Sequence, residues 1–135
     1  MRKTFQFRIY PNKYQKQILN DQLEQCRWLY NHLLEQKIDS WKNNQVSISM
    51  YDQHKYITQL KHTNPSIKLV YSQVLQDVAT RIDLAFQSFF RRCKAKENPG
   101  FPRFKGEDRY DSMTFKQAGF QLKDKKTKNI QSWIN

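Results

Sequence analysis

A long helical repeat near the start of the chain constrains its fold more than any other feature. From about Lys13 to Lys42, apolar residues recur at spacings of three and four, which is the period of an amphipathic helix. Such a helix would be roughly 45 Å long, so it must pack against other helices along its length. Its predicted inner residues are Ile18, Leu19, Leu23, Cys26, Tyr30, Leu33, Leu34, Ile38 and Trp41.

Two shorter helices are predicted to follow. Ser49 can cap the first of them, because Asp52 stands at the spacing of a capping box. The next begins near Ile67 or Ser72 and runs to about residue 96. The predicted inner faces are Met50, Ile57 and Leu60 in the first, and Val70, Val74, Leu75, Val78, Ile82, Ala85, Phe86, Phe89, Phe90 and Cys93 in the second.

Alternating sequence at both ends of the chain predicts short strands. Apolar and polar residues alternate over residues 3–10, and again over 112–116 and 120–122, with the period of a half-buried strand. Residues 117–119 are a plausible hairpin connection. The order strand, helices, strands favours a small β-element with a helical insertion.

The net charge of +12 is concentrated at the C-terminal end. Residues 1–50 carry 8 basic and 4 acidic side chains, residues 51–90 carry 4 and 3, and residues 91–135 carry 12 and 5. A packed body with one cationic face favours a polyanionic partner, either nucleic acid or an anionic membrane. The membrane is the weaker alternative, because no apolar run approaches the roughly 20 residues that span a bilayer. The basic first residues are no signal peptide, so we expect a cytoplasmic protein.

The most basic stretch, residues 91–105, also contains aromatic rings and a turn. Phe101 and Phe104 flank Pro102 and Arg103, which favours an ordered turn with rings beside cations. Phosphates pair with such cations, and unpaired bases stack on such rings. The alternative is a basic loop that packs both rings inward.

Catalytic signals are poor in this sequence. His32, His54 and His62 have no partners at metal-ligand spacing, so we interpret them as surface or helix-packing residues. The carboxylates are scattered, whereas nucleases cluster them around divalent metals. We therefore predict no metal, no cofactor and no catalysis by the chain itself. Cys26 and Cys93 are predicted to be buried free thiols, with a disulfide between them as the alternative.

Two groups of polar residues are candidates for nucleic-acid contact. A basic surface could be lined by Arg8, Tyr10, Arg27, Trp28 and the 91–105 stretch. A polar stripe on the last predicted helix contains Ser72, Gln73 and Gln76. Glutamine can bind an adenine edge through two hydrogen bonds. The alternative for this stripe is an ordinary exposed helix face.

Five ordered motifs give the chain a family resemblance. They are residues 7–12 (FRIYPN), 26–31 (CRWLYN), 72–77 (SQVLQD), 89–92 (FFRR) and 99–105 (PGFPRFK). With them, residues 3 to about 122 resemble the N-terminal region of the TnpB (OrfB) proteins of bacterial insertion sequences. These proteins are often labelled transposases with a helix-turn-helix domain.

The resemblance implies a fold and a function. Full-length members are RNA-guided DNA endonucleases, in which this region is a β-barrel wedge domain interrupted by a helical recognition domain. The implied fold class is α+β and mainly helical, with a long-helix bundle inserted into a small, incomplete antiparallel β-barrel. The implied domains are the wedge element at 1–12 and 99–135 and the recognition domain at 13–98. The wedge would hold guide RNA, and both parts would contact a DNA motif beside the target.

The family pattern and the residue patterns together predict binding residues. DNA contacts are expected at Met50, Ser72, Gln73, Gln76 and Thr114, of which Gln73 comes from the polar stripe alone. RNA contacts are expected at Arg8, Tyr10, Arg27, Arg91, Arg92, Arg103 and Lys105.

The resemblance also implies what the chain lacks. The family's nuclease domain supplies three metal-binding carboxylates and a four-cysteine zinc ribbon, which match nothing in this sequence. The divalent metal and zinc of full-length relatives are therefore not expected here, and we expect a truncated, non-catalytic product. Its expected partners are guide RNA and double-stranded DNA. The alternatives are one half of a split nuclease, with a separately encoded nuclease half as a further partner, or a decayed, non-functional remnant.

Overall fold

The computed structural model of the chain describes residues 2–116. Three α-helices account for most of them: α1 spans Lys13–Asn44, α2 spans Met50–Thr63 and α3 spans Ser72–Lys94. A short 3₁₀ helix, Pro65–Leu69, connects α2 to α3. The remaining described residues, which precede, connect and follow the helices, are turns, bends or segments without regular secondary structure.

Local backbone and side-chain interactions set the first and last residues of α1. The side chain of Asn12 accepts a hydrogen bond from the Gln15 amide at 2.8 Å, and the Gln15 side chain accepts one from the Asn12 amide at 3.0 Å. This reciprocal pair satisfies two amides that the first turn leaves unpaired. The helix stops where Gln45 adopts a left-handed backbone with φ of 54°, and its amide donates back to the Trp41 carbonyl. The predicted long helix is confirmed.

The two shorter helices are also confirmed. Ser49 caps α2 with the predicted capping box, because its hydroxyl accepts from the Asp52 amide at 3.2 Å while the Asp52 carboxylate accepts from the Ser49 amide. Helix α3 begins at Ser72, the later of the two predicted starts, because the 3₁₀ helix occupies residues 65–69. No side chain caps the first turn of α3.

The core lies where all three helices meet. Its apolar members are mostly the predicted ones, joined by Leu29, Ile67, Ala79 and Tyr110, and it also contains the polar Gln53. The Gln53 amide donates to the Leu33 carbonyl at 2.9 Å, which ties α2 to α1. The fully buried residues are Cys26, Leu29, Leu33, Leu34, Gln53, Ile67, Leu75, Val78, Ala79 and Ile82.

The predicted inner faces extend too far toward the C-terminal ends of α1 and α3. Trp41 is 56% exposed and Phe90 is 57% exposed. Cys93 is exposed as well, so its predicted burial is wrong, whereas Cys26 is buried as predicted and both thiols are free. The reason is length: α2 has 14 residues against 32 in α1 and 23 in α3, so it cannot cover both helices to their ends.

The predicted β-barrel part of the fold is wrong, since residues 2–116 contain helices and no strand. The alternating segment 3–10 is exposed and has no regular secondary structure, with no neighbouring strand in the described part of the protein to pair with its backbone. Residues 112–116 form no strand either. Their alternating apolar side chains, Met113 and Phe115, pack against the helical core instead. The second predicted C-terminal strand, 120–122, lies outside the described residues. The division into wedge and recognition domains stays a prediction.

The segment after α3 turns back along the helices. Asn31 of α1 fixes it at Lys105, accepting from the Lys105 amide at 2.7 Å and donating to its carbonyl at 2.9 Å. Further along, Tyr110 is only 5% exposed and packs 6.1 Å from Tyr30, ring centroid to ring centroid. The segment therefore completes the core of the helical body. None of the helices in the described part of the chain is both long and apolar enough to span a membrane.

Candidate nucleic-acid interface

Four polar residues of α3 form an outward row that we call the α3 polar face: Ser72, Gln73, Gln76 and Thr80. Their spacing of three and four places them on one side of the helix. Ser72 lies in the uncapped first turn, and the exposed Gln76 follows one turn later. The amide of the Gln76 side chain makes no hydrogen bond within residues 2–116.

Thr80 connects this face to two other parts of the chain. Its hydroxyl donates to its own helix at the Gln76 carbonyl, 3.3 Å away, and contacts the Met50 sulfur of α2 at 3.6 Å. The Lys116 ammonium donates to the same hydroxyl at 3.1 Å. Thr80 thus holds the start of α2 and the C-terminal segment beside the α3 polar face.

Arg81, the residue after Thr80, connects α3 to the C-terminal segment a second time. Its Nε donates to the carboxylate of Asp77 at 2.8 Å, and its Nη2 donates to the Thr114 hydroxyl at 3.2 Å. The Lys116 ammonium lies 3.8 Å from the other oxygen of Asp77. Because Asp77 is only 7% exposed, its buried charge is compensated by these two cations.

The predicted DNA-binding residues are therefore brought to one region. Met50 and Thr114 are held there through Thr80 and Arg81, and Ser72, Gln73 and Gln76 share the α3 polar face. The sequence-based prediction missed both connecting residues. Each stands four positions after a residue of the SQVLQD motif, Gln76 or Asp77, and that spacing is the signal that could have identified them.

The predicted RNA-binding residues are not gathered in one place. Arg27 is engaged within the fold, since it pairs with Glu24 and donates to the Lys105 carbonyl at 3.2 Å. The hydrogen bond from Arg27 lowers the pKa of Glu24 below its ordinary value. Lys105 is thus adjacent to Arg27, with its ammonium 5.4 Å from the centre of the Tyr30 ring.

The other members of that set lie in separate exposed segments. Arg8 and Tyr10 contact each other in the N-terminal segment, with the guanidinium 5.4 Å from the ring centre. Arg91 and Arg92 occupy the last turn of α3, and Arg103 lies in the segment that follows. All of these side chains are exposed, so they remain accessible to a polyanion.

An aromatic cleft of about 570 Å³ lies beside the C-terminal ends of α1 and α3. Phe101 meets the rings of Phe86 and Phe89 edge-on, at centroid distances of 5.6 and 5.3 Å. Both rings of the predicted turn are about half exposed, Phe101 at 48% and Phe104 at 54%, although Phe101 also makes these two ring contacts. The Lys37 ammonium lies 4.9 Å from the Phe86 ring, and burial lowers its pKa.

The histidines and carboxylates form no metal site in the described residues, where no group of three or more potential ligands occurs. His32 stacks on Trp28 at 4.6 Å and on Tyr56 at 6.4 Å, ring centroid to centroid, which is the predicted helix-packing role. The predicted absence of catalysis and of cofactors stays a prediction.

Comparison with protein-family models matches residues 1–45 to the helix-turn-helix domain of the IS605-type OrfB family. No curated protein matches the chain. The match confirms the resemblance to OrfB/TnpB-type transposases for the N-terminal third of the sequence. The matched range contains one continuous helix, α1, and it ends at the left-handed Gln45 that separates α1 from α2.

Proposed function

We propose that this chain is a nucleic-acid-binding module of an OrfB/TnpB-type transposase, and that it binds duplex DNA through the α3 polar face. The observation that carries the proposal is the convergence of the predicted DNA-binding residues on that face, with Thr80 and Arg81 joining Met50 and Thr114 to it. The helix-turn-helix match over residues 1–45 supports the same class of function.

Gln76 is the residue best suited to read a base. Its side chain is exposed, and its amide offers one donor and one acceptor side by side. That pair matches the N6 and N7 positions of adenine in the major groove. The first turn of α3 has no side-chain cap, so the Ser72 amide can donate to a neighbouring phosphate. Gln76 would thus determine sequence preference while the helix terminus sets the position of the DNA backbone.

The test is selection of preferred duplexes from a random DNA library with the whole chain, followed by affinity measurements on Gln76→Ala. A lost bidentate contact should reduce discrimination between preferred and random duplexes by roughly 5- to 100-fold. Gln59→Ala is the matched control, because Gln59 is an exposed glutamine on α2. Equal discrimination by both variants and the wild-type chain would contradict the assignment of Gln76.

We also propose that the chain binds guide RNA, through exposed cations and rings outside the α3 polar face. Support comes from Arg91, Arg92 and Arg103, which are all exposed, and from the accessible rings of Phe104 and Tyr10. Cations beside exposed rings are typical of single-stranded nucleic-acid binding.

Sequencing the RNA that co-purifies with the chain tests this second proposal. Enrichment of one structured transcript would support guide binding. Retention of unrelated RNA that is lost at moderate salt would contradict it, because a merely basic surface binds without selection and releases its ligand as counterions compete. A selected RNA whose retention requires a second polypeptide with the nuclease carboxylates would favour the split-nuclease alternative.

A further inference from the structure

A second polar site lies beside Arg81 and includes no residue of the α3 polar face. A cleft of about 300 Å³ opens there between α3 and the segment that follows it. Its polar lining comes from both elements. These side chains are Arg81 and Ser88 from α3, and Lys105, Arg109, Tyr110 and Asp111 from the segment. We call this the Tyr110 cleft.

The charge of the Tyr110 cleft is unbalanced. Arg81 is paired with Asp77, but Lys105 and Arg109 have no carboxylate within salt-bridge distance in the part of the chain that the structure describes. Asp111 is the one carboxylate in the lining. With Arg81 neutralised by Asp77, the two unpaired cations Lys105 and Arg109 still outnumber the one carboxylate of this concave lining, which favours an anion.

A turn directs two of these cations to the cleft. The Arg109 amide donates to the Gly106 carbonyl at 3.1 Å, and Asp108 adopts a left-handed backbone with φ of 59°. The turn reverses the chain, so Lys105 before it and Arg109 at its end both line the cleft. Since Asn31 holds the backbone of Lys105 on α1, the entrance to this turn is fixed in place.

Tyr110 supplies the observation that points to a missing ligand. Its side chain is 5% exposed, and its hydroxyl is buried without a hydrogen-bond partner within residues 2–116. A buried polar atom without a partner is costly and uncommon in folded proteins. Burial raises the pKa of Tyr110, so the hydroxyl keeps its proton and can donate it in a hydrogen bond to an anion.

We propose that the Tyr110 cleft binds a single phosphate group, held by Arg109, Lys105 and the hydroxyls of Tyr110 and Ser88. Guanidinium, ammonium and hydroxyl donors are the groups that bind phosphate oxygens in proteins. The phosphate can belong to a nucleic-acid backbone or can be a terminal or free phosphate. The inference goes beyond DNA binding by the α3 polar face, because it needs neither Gln76 nor a duplex.

The test is a ³¹P NMR titration of inorganic phosphate with the whole chain, at constant ionic strength. We expect saturable binding that sodium chloride does not displace at the same ionic strength. Tyr110→Phe keeps the packed ring and removes only the hydroxyl, and Arg109→Gln changes an exposed side chain. Each should weaken phosphate binding by roughly tenfold or more, since a hydrogen bond to a charged group is lost.

Arg2→Gln is the matched control, since Arg2 is an exposed arginine that does not line the cleft and belongs to neither proposed nucleic-acid-binding set. Binding that is weakened equally by Arg2→Gln, or that chloride abolishes, would overturn the proposal. So would unchanged binding in both cleft variants. Arg109→Gln remains informative even if Tyr110→Phe alters folding.

Short oligonucleotides identify the source of the phosphate. Displacement of inorganic phosphate by a 5′-hydroxyl trinucleotide would identify a backbone phosphodiester as the ligand, whereas displacement only by the 5′-phosphorylated form would identify a terminal phosphate. Either result supports phosphate binding in the Tyr110 cleft. If Gln76→Ala loses duplex discrimination but still binds phosphate, the α3 polar face and the Tyr110 cleft are independent binding sites.

Discussion

The hydrogen bonds between Asn31 and Lys105 allow the docking of the C-terminal segment to be tested directly. Asn31→Ala removes two of them, one at 2.7 Å and one at 2.9 Å. Each neutral hydrogen bond contributes a net stabilisation of roughly 0.5–1.5 kcal/mol, so the pair is worth about 1–3 kcal/mol. Arg27 still donates to the Lys105 carbonyl at 3.2 Å, and the site is only part-buried. We therefore expect the lower part of that range, about 1–2 kcal/mol.

The matched control is Asn20→Ala in the same helix. Asn20 is exposed, and its side chain makes no hydrogen bond in the described part of the chain. Alanine favours a helix over asparagine by roughly 0.5 kcal/mol, and this gain affects both variants. The difference between their free energies of unfolding in urea, followed by circular dichroism, therefore reports the loss of the Asn31 side-chain contacts with Lys105.

Amide hydrogen exchange at Lys105 gives a local measurement of the same contact. A loss of 1–2 kcal/mol corresponds to exchange that is faster by roughly 5- to 30-fold in Asn31→Ala. Exchange at Lys105 reports detachment of the C-terminal segment even if the segment detaches before the helices unfold. If Asn31→Ala and Asn20→Ala match in both unfolding free energy and Lys105 exchange, then Asn31 does not hold the segment.

Further predictions concern the thiols, the buried carboxylate and a helix cap. A thiol reagent at pH 8 should modify the exposed Cys93 rapidly and spare Cys26, whose pKa burial raises to about 12; two fast thiols in the folded chain would contradict this. Asp77→Asn should destabilise the fold by about 2 kcal/mol in urea unfolding, because it leaves the partners of a nearly buried charge uncompensated. Asp83→Asn, at a more exposed position of the same helix, should change stability by less than about 0.5 kcal/mol. Ser49→Ala should cost about 1 kcal/mol through loss of the α2 cap, while Ser49→Thr, which keeps the hydroxyl that bonds to Asp52, should restore most of it.

The helices of this chain were determined by local sequence. The spacing of apolar residues gave the extent of α1 to within two residues, and the pairing of Ser49 with Asp52 gave the start of α2. Both signals act between residues three or four positions apart, which are already neighbours in an isolated helix. They therefore need no knowledge of the rest of the molecule.

The extended segments depended on partners that are distant in sequence. Residues 3–10 and 112–116 have the alternation of strands, but a strand forms only where another backbone offers its unpaired amides and carbonyls. In residues 2–116 the second segment instead packs Met113 and Phe115 onto helices. Alternation predicts an extended backbone and an apolar side, and it does not specify what covers that side.

The candidate site residues likewise fall into two groups: those that local sequence identified and those that only the tertiary structure revealed. The sequence by itself identified Gln76 as an exposed polar residue of α3 and Arg103 as an exposed cation, because helical period and local charge are readable from the chain. Only the tertiary structure decided that Arg27 is engaged with Glu24 and Lys105, and that Tyr110 lies buried beside Arg81. The Asn31–Lys105 contact joins residues 74 positions apart. Contacts at that separation arise from the packing of whole elements, which local sequence patterns do not encode.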